Sequence, residues 1–299
     1  MTILDIHHHF FSKNTVVAFS KIFGPEFTEN FKNFQPERYK KFTEIAEPEK
    51  RAIQLMDNMK ENDIEKIIPM AFVFDEEGSF EIHKKYPNKF PGVIPFLSPE
   101  HHKNPDILEE WKKKGAITVK LYPGSWTKLS LSSEELLPYF KKMDEIGFHP
   151  IIHTGVMKGG DTSSMWPVSP MELKPWLTNK NLKSLNFIIA HFGAGYLREI
   201  FMMAYSHSKR IFVDTSGSND WIDWSSWLSL TQVFEKSIKA LTTSNILFGT
   251  DSNIEMLRSD VIIRQKGILQ DLIARKIISQ EEREKILYEN AKELYNISK

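Results

Sequence analysis

Residues 3–9 read Ile-Leu-Asp-Ile-His-His-His and run straight into Phe10 and Phe11. The apolar, β-branched opening is that of a buried strand, and three histidines at its end call for a reason. Histidine tags occupy disordered termini, whereas these residues are embedded between Ile6 and Phe10. Side chains alternate faces along a strand, so His7 and His9 share one face and His8 takes the other. Two imidazoles side by side suggest a metal, but two ligands do not complete a site.

Outward from this stretch, short β-branched or aromatic runs alternate with helical ones. Strands are predicted at 3–9, 64–72, 90–97, 117–121, 150–153, 186–191, 211–214 and 246–251. Their nearly unbroken apolar content suits a parallel sheet covered by helices. The segments between carry helix signals. After Pro48, the residues Ala52, Leu55, Met56 and Met59 repeat at the spacing of one buried face. Ser132 and Glu135 have the spacing of a capping box, Leu136, Phe140 and Met143 mark a buried stripe, and Gly147 a stop. Ser279 and Glu282 open a last helix striped by Leu287, Ala291 and Leu294. Eight alternations of strand and helix favour an α/β fold of the (β/α)8 TIM-barrel type over a doubly wound sheet. No Gly-rich phosphate turn follows the first strand, which weakens the open-sheet alternative further. A single domain over residues 1–299 is expected.

Composition narrows the function. With 41% hydrophobic and 26% charged residues in 299, the chain can bury a large core. Lys plus Arg equals Asp plus Glu at 39 each, so no net field favours nucleic acid as a partner. The longest apolar runs, such as Phe187 to Ala190, are strand-length and far too short to span a membrane. No basic segment leads into an apolar stretch at the start, which leaves the cytoplasm as the default location. The absence of cysteine removes disulfides, zinc–thiolate sites and thiol nucleophiles together. The expected partner is a small-molecule substrate, and a homodimer is left open.

Three connections are too long for simple turns: 10–47, 154–170 and 215–230. All follow strand C-terminal ends, where barrel enzymes build their sites. Residues 220–227 carry three of the seven tryptophans, Trp221, Trp224 and Trp227, as a substrate wall or as a packed cap.

Polar residues at the ends of apolar strands converge in such a barrel. They are His7 and His9 on the first strand, Lys120 on the fourth, His153 on the fifth, His191 on the sixth and Asp251 on the eighth. One core histidine is ordinarily structural; four with an aspartate are not explained that way. Neutral imidazole and carboxylate suit Zn²⁺, Mn²⁺ or Fe²⁺ where thiolate is lacking. Asp5 shares a face with His7 at greater depth and reads as structural or supporting. His8 reads as packing toward the helix layer. His83, His101, His102, His149 and His207 receive no role, and Asp75 is a rim residue.

The motifs DIHHHF (5–10), VKLYPG (119–124), IIHTG (151–155), IIAHFG (188–193), FGTDSN (248–253) and ILYENAKELY (286–295) resemble the amidohydrolase superfamily. The resemblance is to its amidohydrolase-related group of metal hydrolases, lactonases and decarboxylases. It implies that His7, His9, His153 and Asp251 hold one divalent ion, Zn²⁺ first and Mn²⁺ second. Asp251 would also accept a proton from metal-bound water, while His191 would face the substrate and donate to developing negative charge. Lys120 has two readings: a carboxylated bridge to a second ion held with His153 and His191, or an ammonium binding a substrate carboxylate. The ammonium is preferred, because the group resembled is mostly mononuclear. The implied activity is hydrolysis of an amide, ester or lactone in a small substrate. The alternative is a lyase of the aminocarboxymuconate-semialdehyde decarboxylase kind, decarboxylating or hydrating an aromatic or dienoic acid. A metal-dependent deoxyribonuclease would place a glutamate where Lys120 stands, and an inactive binding barrel would not keep the whole ligand set.

Overall fold

The computed structural model describes residues 2–13, 15, 26, 29–44, 47–71, 75–155, 167–207, 209–253 and 257–297. Eight parallel strands form the centre: β1 (Ile3–Phe10), β2 (Ile64–Ala71), β3 (Phe96–Leu97), β4 (Lys120–Leu121), β5 (Ile151–Ile152), β6 (Phe187–Ile189), β7 (Ile211–Asp214) and β8 (Ile246–Leu247). β1 pairs with β2, and β3 through β8 pair in chain order. Backbone hydrogen bonds join the two sets into a ring. Ile94 donates to the Pro69 carbonyl at 2.9 Å, and Ala71 to that of Ile94 at 2.9 Å. On the other side, Ile6 donates to Phe248 at 3.2 Å, Asp251 to His7 at 2.7 Å and His9 to Ser252 at 2.8 Å. The expected TIM barrel is the fold.

Several hydrogen-bonded strands are shorter than their apolar runs. In β3 only Phe96 and Leu97 form a ladder, with isolated bridges at Val93 and Ile94, and Pro95 has no N–H to give. β6 stops at Ile189 rather than at residue 191, because His191 and Phe192 turn into left-handed backbone with φ of 56° and 51°. Residue 72, at the expected end of the second strand, lies outside the described residues, as do 14, 16–25, 27, 28, 45 and 46 of the 10–47 connection and the 156–166 part of the 154–170 connection.

Helices cover the ring. Pro48–Glu61 buries Ala52, Leu55 and Met59, as its spacing predicts. Ser279 and Glu282 form the expected capping box, and Leu287 and Ala291 are buried, although a π turn over Lys285–Glu289 interrupts the last helix. The capping box expected at Ser132 is not formed. Pro138 fixes the start of helix Leu137–Ile146 further along, after a 3-10 turn at Glu134–Leu136. Leu136, Phe140 and Met143 are buried as expected, and Gly147 ends the helix at φ 75°.

The core divides into two layers. Ile3, Val119, Ile152, Ile189, Val213 and Phe248 pack with helix residues such as Leu55 and Phe140. Leu4, Ile6, Met70, Ile94, Ile151, Ile188 and Leu247 form the interior, joined by Tyr288, Tyr295 and Ile297 from the end of the chain. Lys120 is in register with Ile151, and Ile151 with Ile188, so the lysine points inward with them.

Candidate metal centre at the strand ends

On β1, strict alternation from Ile3 would send His7 outward. A register irregularity between Asp5 and His8 breaks that alternation, so both Ile6 and His7 face the interior. His7 and His9 then lie on one side with ring centroids 5.3 Å apart. His8 is buried toward the helix layer, where burial first and then the nearby Arg51 charge hold its imidazole down to about 3. The same irregularity separates Asp5 from the face of His7. Its carboxylate accepts from Thr250 N at 3.1 Å and Thr250 Oγ1 at 2.6 Å, tying β1 to the end of β8.

Past β8, residues continue to alternate. Leu247 and Gly249 face inward and Asp251 follows them. Asp251 Oδ1 lies 3.3 Å from His9 Nε2 and 3.7 Å from His7 Nε2. These three ligand-type atoms lie within 4.8 Å of one another. Close approach here requires Gly249: a Cβ would stand 2.8 Å from His7 Cβ and 3.0 Å from Ser216 Cβ. Asp251 has φ 56° and His191 φ 56°, so two of the expected site residues occupy strained left-handed backbone.

His153 extends β5 inward, its ring 4.6 Å from Tyr122 and 5.0 Å from His191. Among the described residues its Nε2 is buried with no hydrogen-bond partner. An orphaned imidazole nitrogen beside a His–His–Asp trio fits a missing cation, because such a nitrogen otherwise costs its full desolvation. His153 is nevertheless not within the 4.8 Å set formed by His7, His9 and Asp251. Lys120 is buried, with Nζ 3.3 Å from His7 Nε2.

One residue at this site went unassigned in the sequence. Asp214, last on β7, is fully buried, and its Oδ2 accepts from His7 Nδ1 at 2.8 Å. Its Oδ1 accepts from His191 N and Ser216 N, each at 3.0 Å, and from the Ser216 hydroxyl. The signal was present, since Asp214 ends an apolar strand just as His153 does. Ligand-type atoms of His7, His191 and Asp214, one from each, also lie within 4.8 Å of one another. We read them as a hydrogen-bonded group, because the Ser216 hydroxyl stands among them and His7 bonds Asp214 directly.

Charge states follow from burial and neighbours. Burial and the Lys120 charge push His7 down to about 3 against the pull of Asp214. Burial and the neighbouring His191 hold His153 well below its usual value, and burial lowers His191 against Asp251 and Asp214. These imidazoles are therefore neutral at neutral pH, the form that binds cations. Burial alone would raise the Asp214 and Asp251 carboxyls, but the surrounding histidines hold both well below the usual range. Burial brings Lys120 down to about 8, opposed by Asp214 and Asp251.

The remaining histidines are structural where their contacts are seen. His102 Nδ1 accepts from Ser98 N at 3.1 Å and its ring meets Trp111 at 5.1 Å. His83 Nδ1 lies 2.7 Å from the Phe90 carbonyl, and His149 Nδ1 accepts from Asn186 N at 3.3 Å. Asp75 is buried beside Ser12 and Thr15 rather than free at the rim. The tryptophan-rich segment divides: Trp221 is buried with Nε1 on Asn219 Oδ1 at 3.1 Å, while Trp224 and Trp227 are exposed.

A closed parallel barrel with imidazole and carboxylate groups gathered at its strand ends defines a TIM-barrel enzyme. The chain belongs to the amidohydrolase family, whose model matches residues 4–297. No curated protein matches it. Among solved structures it is similar to a probable 2-pyrone-4,6-dicarboxylic acid hydrolase from Acinetobacter baumannii with citric acid bound (15% identity, 99% of this chain and 100% of that one, TM-score 0.67). It is also similar to 5-carboxyvanillate decarboxylase from Sphingomonas paucimobilis (10%, 99% of each chain, TM-score 0.65). A third is an amidohydrolase from Burkholderia multivorans with bound zinc (10%, 100% of each chain, TM-score 0.65). At these identities the shared property is the fold. Among the described residues, no helix is long and apolar enough to cross a membrane.

Proposed function

We propose that the protein is a metal-dependent hydrolase that opens an amide, ester or lactone bond in a small carboxylate-bearing substrate. The observation that carries this reading is the approach of His7 Nε2 and His9 Nε2 to Asp251 Oδ1, beside the buried ammonium of Lys120. His7, His9 and Asp251, with His153 supplying its orphaned Nε2, would hold one ion. A set of imidazoles and one carboxylate suits Zn²⁺ first and Mn²⁺ second, and the zinc in the Burkholderia amidohydrolase supports that choice. When bound, such an ion lowers the pKa of a coordinated water toward ~7 and polarises the scissile carbonyl.

The chain's own residues supply the rest. Asp251 faces the two imidazoles through Oδ1, which leaves Oδ2 to take a proton from the attacking water and return it to the leaving group. Lys120 pairs with a substrate carboxylate, a reading supported by the dicarboxylic acid named for the Acinetobacter hydrolase. His191 Nδ1 faces the Ser216 carbonyl at 3.2 Å, so Nδ1 carries the proton of the neutral ring and Nε2 the unshared pair. His191 therefore accepts a hydrogen bond at Nε2 from the water or substrate, and could donate to developing oxyanion charge only after taking up that partner's proton.

The test is turnover of lactones, amides and aromatic carboxylates in ¹⁸O-labelled water with evolved CO₂ monitored. Label in a product carboxylate is the expected result. Release of CO₂ without label overturns hydrolysis in favour of the decarboxylase alternative.

A further inference from the structure

His7 and His191 come from strands far apart in sequence, yet both ring Nδ1 atoms meet one hydroxyl. Ser216 Oγ lies 3.0 Å from His7 Nδ1 and 2.8 Å from His191 Nδ1, and it also bonds Asp214 Oδ1. Only one assignment of protons satisfies every contact. Asp214 is ionised and can only accept, so the Nδ1–H of His7 goes to Oδ2 and the hydroxyl hydrogen of Ser216 goes to Oδ1. The Ser216 oxygen is then left as an acceptor. His191 Nδ1 must donate, because its other neighbour is the Ser216 carbonyl at 3.2 Å, which has no hydrogen to give. Lys120 agrees from the opposite side of His7: an ammonium 3.3 Å from Nε2 requires that nitrogen to carry the lone pair.

We propose that Asp214 and Ser216 form a single positioning device that fixes both His7 and His191 as Nδ1–H tautomers, so that both rings keep Nε2 for the site. Neither residue touches the reacting atoms. Asp214 acts on His7 directly and on His191 through the serine hydroxyl and through His191 N. The device depends on two glycines. Gly249 lets His7 and Ser216 approach, and Gly217 at φ 85° runs past His191 Nδ1, where a Cβ would stand 3.2 Å away. The tautomer assignment stands on hydrogen bonding alone; its consequence for metal affinity rests on the proposed metal site.

The experiment separates the two. Long-range ¹H–¹⁵N spectra of histidine-labelled protein report the tautomers with no metal added, and zinc affinity is measured by chelator competition. The expected wild-type result is Nδ1–H for both rings. In Ser216→Ala the His191 Nδ1–H loses the nearer of its two acceptors and keeps only the backbone carbonyl of residue 216, so its signals should shift part of the way toward a mixture of tautomers, while His7 keeps its form through Asp214. In Asp214→Asn both should mix, and zinc affinity should fall roughly 10- to 100-fold. Nε2–H on either ring of the wild type, or His191 signals unchanged by Ser216→Ala, overturns the proposal. Ser216→Ala removes only one oxygen and keeps the test available should Asp214→Asn not fold. Tautomers as assigned in a protein without zinc affinity would sustain the positioning device and remove the metal reading instead.

Discussion

Lys120 Nζ and His7 Nε2 stand 3.3 Å apart, so a buried cation and a proposed metal-ligating nitrogen share one wall of the barrel mouth. A substrate carboxylate drawn to that ammonium would arrive beside the ion. Lys120→Arg should therefore keep one metal equivalent and raise KM more than it lowers kcat. A stoichiometry of two ions that falls to one on this substitution would show a carboxylated bridge in its place.

Metal content is the next expectation. The purified protein should carry about one equivalent of Zn²⁺ or Mn²⁺ by elemental analysis. The double variant His7→Ala, His9→Ala should lose it with little change in far-UV circular dichroism, since Leu4 and Ile6 supply the interior packing of β1. Full occupancy in the double variant would sink the assignment.

Turnover should respond unequally to the two groups proposed to act in the reaction. Asp251→Asn removes a proposed ligand charge and the proposed proton acceptor together, so activity should fall by orders of magnitude along with metal affinity. His191→Asn should cost roughly a hundredfold in kcat, by analogy with the loss of one oxyanion donor, with metal content kept. Equal loss of metal in both variants would make His191 a ligand.

Acidity should affect stability through Asp75. Burial raises this carboxyl from 3.8 to about 6, opposed by hydrogen bonds from Thr15 and Ser12. Between those values the folded state binds more protons than the unfolded one, so stability falls as pH rises from about 4 to about 6. Asp75→Asn should flatten that part of the profile in urea unfolding at fixed salt, and be more stable than the parent at pH 7. A difference between the two proteins that does not change with pH would refute the shift.

The glycine contacts give a steric prediction. Gly249→Ala places a methyl 2.8 Å from His7 Cβ and should cost about 1–3 kcal/mol of stability while weakening metal binding. Unchanged melting temperature and affinity would mean that this seam is looser than its distances indicate.

Much of the site could be read from alternation along apolar strands. Lys120, His153 and Asp251 all lie where a period of two from their interior neighbours puts them. Asp214 obeys the same rule, two residues beyond Phe212, but it belongs to no histidine-bearing motif, so its bond to His7 shows only in the folded chain. His7 and His191 are different. Strict alternation sends His7 out with Ile3 and His191 out with Ile189, and each is turned inward by a local departure: a register irregularity at Asp5/His8 and a left-handed φ. Such departures depend on neighbouring strands and leave no periodic trace. Ser216 was unreadable for another reason, since a serine after β7 gains meaning only where Gly249 lets it meet His7. Strand lengths were overestimated because an apolar run records burial, whereas a ladder also needs a partner in register.

The seam between β1 and β8 has a kinetic consequence. Asp5 and Thr250 bond across 245 positions of sequence, and the proposed ligands His7, His9 and Asp251 flank that same junction. Contacts of such long range are closed late, after most of the loop entropy has been lost. The ligand set is therefore assembled only when the first and last strands meet. An ion bound there favours the closed ring over every partly zipped form by mass action, to a degree set by its concentration over its Kd. Metal supply would then govern how quickly newly made chains escape aggregation-prone open sheets, in addition to how fast the finished enzyme turns over.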